Sequence, residues 1–208
     1  MINILAQIIS IFAAAFNIFS YQMKDNRHLF LSKGISGALF AVNFILLGNF
    51  TAGALNAVNL LRGAVLAGGE KWHKKRWLYL VQGLYLLCCI VTFGKSRTMI
   101  GGAVFAMVVS LLATTSQLVE TAILWGNNGR HIRIAQISFI SPFWLFNNIV
   151  TGSIGGIVTE IFGMCSVIIS FIRFGWNGFL NDADEKKPKE YRLSYVSGYR
   201  FQAVSRIS

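Results

Sequence analysis

The chain consists of long apolar blocks separated by short turns that are polar or rich in glycine. The blocks cover about residues 2–21, 29–47, 51–67, 77–93, 98–118, 132–150 and 152–174. Each block approaches the roughly 20 residues that a helix needs to cross about 30 Å of hydrocarbon. The apolar residues run continuously, without the period-two alternation of a membrane barrel strand. We therefore predict an all-α membrane protein with about seven transmembrane helices, in one polytopic domain over residues 1–180.

Two parts of this division follow less directly from the pattern. The fifth block has a blurred end, because apolar residues continue past Glu120 towards Trp125 before the polar stretch 126–130 begins. From residue 181 onward the composition becomes polar and charged. We predict that residues 181–208 form a cytoplasmic, largely disordered tail.

Composition excludes a soluble fold. Hydrophobic residues make up 54% of the chain and charged residues 13%, whereas a soluble domain carries roughly 25% charged residues. The mean hydropathy is +0.56. The net charge of +11 could indicate a nucleic-acid partner in a soluble protein. Here the basic residues collect in loops, so we predict a lipid bilayer and no nucleic acid as the partner.

The distribution of basic residues predicts the orientation. Basic clusters follow the first, third and fifth blocks and occupy the tail, whereas the turns near Gly48 and Gly152 have no basic residue. Lys95 and Arg97, after the fourth block, are the exceptions. By the positive-inside rule, the N-terminus lies outside and the C-terminus lies in the cytoplasm. We predict a multi-pass protein of a bacterial inner, that is plasma, membrane.

The sequence contains no recognisable catalytic or metal-binding motif. The three cysteines, Cys88, Cys89 and Cys165, lie inside apolar blocks and have no CxxC spacing. The histidines lie in predicted loops beside basic residues. No G-x-S-x-G, H-E-x-x-H or Walker pattern occurs. We therefore predict that the protein is not an enzyme and uses no metal and no cofactor.

Two pairs of blocks have a common organisation that indicates an internal repeat. The second and third blocks, like the sixth and seventh, are joined by a very short uncharged turn. At an offset of 100 residues, Thr51 aligns with Thr151 and Gly63 with Gly163. With the fourth helix as a linker, the chain would form two parallel three-helix bundles in a 3+1+3 plan.

Two segments resemble the YgjV-type bacterial inner-membrane proteins. They are FILLGNFTAGALNAVNLLR at residues 44–62 and WLFNNIVTGSIGGIVTE at residues 144–160. That family implies no settled activity. Its layout is similar to that of SWEET-type sugar facilitators and PnuC-type nicotinamide riboside transporters. The Pro-Gln signature of the PQ-loop relatives is absent, because the prolines are Pro142 and Pro188. Transport therefore rests on an analogy of fold.

Polar residues inside the predicted helices are the candidates for function. Arg62 and Glu160 are ionisable, and a charge at this depth needs a protein or water partner. We hypothesise that both face a central cleft, pair with each other, and break or re-form this pair during transport. The alternatives are a fixed structural ion pair, or an Arg62 side chain that extends to the cytoplasmic interface near Gly68. Asn56 and Asn59 form a polar stripe with Arg62 along one helix face. Such a stripe could bind a solute or hold helices together.

The sequence thus leads to two hypotheses. In the first, the protein is a transporter or facilitator of a small, polar, neutral solute. Its lining would comprise Asn56, Asn59, Arg62, Asn147, Asn148 and Glu160. Pro142 would kink the sixth helix and serve as a hinge. In the second, the protein is a non-transporting membrane scaffold or regulator that acts through its basic cytoplasmic loops and tail.

Overall fold

A computed structural model of the chain describes most of the helical region. It covers residues 2–20, 26–68, 72, 74–93, 95–96, 102–126, 131 and 134–174. The helices are α1 (Ile2–Ser20), α2 (Asn26–Leu46), α3 (Phe50–Ala67), α4 (Lys75–Thr92), α5 (Ala103–Gly126), α6 (Ser141–Thr151) and α7 (Ile154–Phe174). The described residues thus contain seven α-helices and no strand, which confirms the all-α prediction. The predicted tail, residues 181–208, lies outside them.

The helices carry apolar side chains on the outside of the bundle. Ile4, Ile90 and Ile172 are each at least 66% exposed, although they come from three different helices. An apolar exterior of this kind matches hydrocarbon rather than water. By length and composition, α3 and α5 could each cross a membrane. The apolar stretches of α1, α2 and α7 are shorter than 18 residues.

The two ends of the bundle differ in character. At the turn end, α2 connects to α3 at Gly48, and α6 connects to α7 at Gly152. Both glycines have a positive φ, 81° and 77°, which most side chains would make strained. Asn49 then caps α3 by accepting a hydrogen bond from the Ala52 amide at 3.1 Å. At the opposite, basic end, α4 begins beside Lys74 and Arg76.

The helix neighbours follow from close backbone contacts. The α2 helix packs against α1 and α3, and α6 packs against α5 and α7. In addition α1 touches α7, α3 touches α5, and α4 packs against α3 and α5. Gly63 allows the tightest described approach of α2 to α3, because a Cβ there would lie 2.7 Å from the Phe30 carbonyl oxygen.

Two helices differ in detail from the prediction. The α5 helix begins at Ala103 and continues to Gly126, so Glu120 lies within it rather than at its end. A π-helical segment, Gln136–Ile140, leads into α6. The Ser141 amide donates to the Gln136 carbonyl, five residues back, and Pro142 follows directly. The predicted kink is thus accompanied by a π segment; the hinge role of Pro142 stays a prediction.

Candidate functional site

A cavity of about 90 Å³ lies among all the helices except α4. It is several times larger than a single water molecule requires. On the side of the turn end, its lining includes Phe44 and Asn148; on the side of the basic end, it includes Leu66 and Leu124. The cavity therefore extends along much of the bundle and has polar as well as aromatic walls.

Most of the predicted polar residues line this cavity. They are Asn56, Asn59, Arg62, Asn148 and Glu160. Asn147 is instead buried at the turn end, where its carbonyl oxygen accepts a hydrogen bond from Asn49. Pro142 is not among the lining residues. A role in solute binding stays a prediction for all of them.

Arg62 pairs with a carboxylate that the sequence hypothesis did not select. Its Nη1 lies 3.0 Å from Glu120 Oε2 and also donates to Gln117 and Thr121, at 3.1 Å each. The hypothesised pairing of Arg62 with Glu160 is therefore wrong. The reason is depth: Arg62 lies about 18 Å from the start of α3 at the turn end, whereas Glu160 lies only about 9 Å from the start of α7.

Two charged residues of the cavity are not evident as interior charges from the sequence. The apolar pattern places Glu120 near a helix end and Lys33 close to a helix entry. Both line the cavity, and the charge of Lys33 acts on Glu120 and on Glu160. Among the residues that line it, the cavity thus has two basic and two acidic side chains. The signal in the sequence that could have identified them is that apolar residues lie on both sides of each charge.

The amides of α3 are largely bonded to protein groups. Asn59 accepts a hydrogen bond from the Tyr85 hydroxyl of α4 and donates to Asn56 Oδ1 at 3.3 Å. Asn56 donates back to the Ala52 carbonyl at 2.9 Å. Asn148 differs, because its Oδ1 is buried and has no hydrogen-bond partner in the part of the chain that the structure describes. It is the amide that most clearly retains binding capacity.

Glu160 lies beside the π segment. Its carboxylate is within hydrogen-bonding reach of the Ser141 hydroxyl, which accepts a hydrogen bond from Gln136 Nε2 at 2.7 Å. These contacts join the middle of α7 to the first residue of α6. Single π-helical turns often occur at functional sites. Here the π segment brings Gln136 to the wall of the cavity.

The turn end is closed by a reciprocal pair of contacts. Asn49, just after Gly48, donates to Asn147 at 3.0 Å. Ser153, just after Gly152, donates to Asn43 at 2.8 Å. The equivalent residues are separated by the same 104 positions: Gly48 and Gly152, Asn49 and Ser153, Asn43 and Asn147. The structure therefore aligns the two turns at an offset of 104 rather than 100.

The α1 helix completes this closure. Gln7 donates to the Gly152 carbonyl at 2.7 Å and accepts from the Ile154 amide at 3.0 Å. Ser10 accepts from the Gly155 amide at 3.1 Å. These bonds involve the first turn of α7, whose amides would otherwise lack partners. The turn end is thus sealed by polar contacts, each of which could exchange for water.

An apolar exterior, antiparallel helices and a charged interior cavity define a helical integral membrane protein. A family model described as "Bacterial inner membrane protein", with the family name Imp-YgjV, matches residues 4–177. The chain therefore belongs to the YgjV family of bacterial inner membrane proteins. It is similar to the inner membrane protein YgjV of Escherichia coli strain K12, with 28% identity over 171 residues, which cover 82% of this chain and 84% of the relative. No solved structure matches the chain.

Proposed function

We propose that the protein is a carrier for a small polar solute, which passes through the central cavity without being chemically changed. The observation that carries this proposal is a polar cavity inside a membrane protein, closed at one end by hydrogen bonds between helix turns. We further propose the orientation derived from the basic loops, with the turn end outside and the basic end in the cytoplasm.

The proposal includes two three-helix bundles, α1–α3 and α5–α7, with α4 as the linker. The reciprocal contacts at the turn end support it, because they relate α2–α3 to α6–α7 by a pseudo-twofold axis. The contact of α1 with α7 corresponds to that of α5 with α3 under the same relation. The α4 helix packs mainly on α3 and α5, one helix from each bundle, as a linker would.

Transport would require the turn end to open while the basic end closes. Among the described residues, six side-chain hydrogen bonds join the two bundles at the turn end. At about 0.6 kcal/mol for each hydrogen bond within a membrane protein, their sum is about 4 kcal/mol. A minor open state of this energy is compatible with exchange between conformations. The hydrogen bonds are therefore strong enough to define a closed state and weak enough to release it.

A solute-independent labelling experiment tests the carrier. Asn56→Cys, in a background with Cys88, Cys89 and Cys165 replaced by alanine, places one thiol in the cavity. Right-side-out and inverted vesicles are then exposed to a membrane-impermeant maleimide. We expect labelling from both sides, and more slowly from the turn end. Labelling from one side alone would refute alternating access.

A crosslink provides the matched control. Asn49 and Thr151 are in direct contact, with Nδ2 and Oγ1 2.9 Å apart. With Asn49→Cys and Thr151→Cys added, oxidation should abolish labelling of Asn56→Cys from the turn end, and reduction should restore it. Asn49→Cys without its partner should respond to neither treatment. Deleting residues 181–208 should leave the labelling unchanged, whereas a scaffold that acts through its tail would lose its function.

A further inference from the structure

Four cavity residues lie at a common depth in the bundle. Asn56 and Glu160 each follow the first residue of their helix, α3 or α7, by six positions. Phe40 and Trp144 precede the last residue of α2 or α6 by six and seven positions. At 1.5 Å per residue, all four lie about 9–10 Å from the turn end. All four line the cavity. We call them the middle layer.

The middle layer is nearly symmetric. Phe40 and Trp144 are separated by 104 positions, and so are Asn56 and Glu160. Each half of the protein thus supplies one aromatic and one polar residue. The aromatic groups continue into Phe44, whose ring centroid is 6.1 Å from that of Phe40 and 6.0 Å from that of Trp144. The polar pair departs from this symmetry, because Glu160 has a carboxylate where Asn56 has an amide.

A second acceptor lies next to this carboxylate. Asn148 is 2% exposed, lines the cavity, and its Oδ1 lacks a partner among the described residues. Its carboxamide occupies the place that a Cβ of Gly156 would take. Gly156 and Glu160 are one turn apart on the same face of α7. The carboxylate and the unpaired amide oxygen therefore belong to the same wall of the cavity, where the amide oxygen is buried and packed against Gly156.

The basic residues of the cavity lie further from the turn end. Arg62 is about 9 Å deeper than Glu160 and is bonded to Glu120. Lys33 lies 13 positions before the last residue of α2, which places it about 20 Å from the turn end. The part of the cavity near the turn end is thus aromatic and acidic, and the deeper part contains both basic groups together with Glu120, the partner of Arg62.

We propose that the middle layer binds the protonated amino group of an amine-bearing solute, an inference that rests on the proposed carrier function and deepens it. An ammonium group has three N–H donors and no acceptor. The Glu160 carboxylate would accept from it in a charge-assisted hydrogen bond, and Asn148 Oδ1 would accept another once its carboxamide turns from Gly156 towards the solute. The faces of Phe44 and Trp144 attract a cation as well. The deeper part of the cavity, where Arg62 is paired with Glu120 and Lys33 is a second basic group, suits a polar remainder of the solute.

Matched pairs of compounds test the substrate class on the purified full-length protein. We propose thermal-shift titrations with ethanolamine against ethylene glycol, glucosamine against glucose, and glycine against glycolate. In at least one pair, the amine should bind about tenfold more tightly than its hydroxyl partner, since one charge-assisted contact is gained. Glu160→Gln should remove this preference, and Glu160→Asp should retain part of it.

A swap variant provides an independent check. Asn56→Glu combined with Glu160→Asn moves the carboxylate to the equivalent position on the opposite wall. The amine preference should be weaker than in the unchanged protein but stronger than in Glu160→Gln, because a carboxylate is retained while Phe44 stands at the position equivalent to Asn148. If the hydroxyl partners bind as tightly as the amines, if Glu160→Gln retains the preference, or if no amine binds, the inference is overturned. The maleimide labelling from both sides would still hold in each case, so the carrier proposal would fail only on its own test.

Discussion

The ion pair between Arg62 and Glu120 offers the sharpest test of the structure. Its contact distance is 3.0 Å, and the two side chains are only 8% and 13% exposed. Replacing Arg62 with methionine removes the charge and retains much of the apolar stem. The variant leaves Glu120 buried without its basic partner. We predict a large loss of stability from this single change.

The expected magnitude follows from the contacts. At 3.0 Å and an effective dielectric constant of about 20, the Coulomb attraction is about 5–6 kcal/mol. Removing one partner of a buried pair costs about 3–5 kcal/mol, since the remaining charge is left uncompensated. The bonds from Arg62 to Gln117 and Thr121 add about 1 kcal/mol at membrane values. We therefore expect Arg62→Met to reduce the free energy of unfolding by about 4–6 kcal/mol.

A double-mutant cycle assigns the partner. Equilibrium unfolding by dodecyl sulfate in mixed micelles, followed through the fluorescence of the five tryptophans, gives the free energies. Arg62→Met and Glu120→Gln should couple by about 2–3 kcal/mol, because the double variant no longer buries a lone charge. Arg62→Met and Glu160→Gln should be additive within about 0.5 kcal/mol. Strong coupling to Glu160, with none to Glu120, would refute the described pairing. Arg62→Lys is the milder variant if Arg62→Met does not fold.

Three further predictions concern glycines and the turn end. Gly63→Ala should destabilise the protein by about 1–3 kcal/mol in the same micelle assay, because its Cβ would lie 2.7 Å from the Phe30 carbonyl oxygen. The control is Gly83→Ala, which has open space around it and should be neutral or stabilising by up to about 1 kcal/mol. An equal loss for both would contradict the α2–α3 packing. Asn49→Ala should lower the free energy of unfolding by about 1–2 kcal/mol, because α3 loses its cap. It should also speed the labelling of Asn56→Cys from the turn end, because the closure loses two hydrogen bonds. An unchanged labelling rate would show that these two bonds do not keep the turn end closed. Gly156→Ala should displace the Asn148 carboxamide and weaken the binding of any amine found by thermal shift, and undiminished affinity would remove Asn148 from the subsite.

The helices and the set of polar interior residues could be predicted from the sequence because a bilayer permits few alternatives. Every backbone amide in hydrocarbon must bond within its own helix, so a long apolar block has only one stable form. A polar residue in such a block must turn inward, and this requirement alone is enough to place Asn56 and Glu160 in the interior. The exposed apolar side chains of the bundle then follow as its lipid-facing surface.

The partners of these residues could not be predicted in the same way. Which carboxylate meets Arg62 depends on which helices touch and at what depth, and neither is encoded in local pattern. The contact of α3 with α5 brings Glu120 to Arg62. The π segment before Pro142 could not be predicted either, because its evidence is a backbone hydrogen bond, from the Ser141 amide to the Gln136 carbonyl, that the sequence does not show. The correct repeat offset also emerges only from the bonds at the turn end.

The contrast between the turn end and the cavity suggests a division of roles within the proposed carrier. At the turn end, both halves contribute equivalent glycines and a reciprocal pair of bonds, so this part of the closure is symmetric. Deeper in the bundle this equivalence ends: Glu160 corresponds to Asn56, and Arg62 corresponds to Ser166 at the same offset. A symmetric closure can open by one movement of two similar halves. An asymmetric cavity gives a bound solute a single orientation, because the first half contributes the basic groups, Lys33 and Arg62, and the second half contributes the acidic ones, Glu120 and Glu160. Opening would thus depend on what the halves share, and selectivity on the few side chains by which they differ.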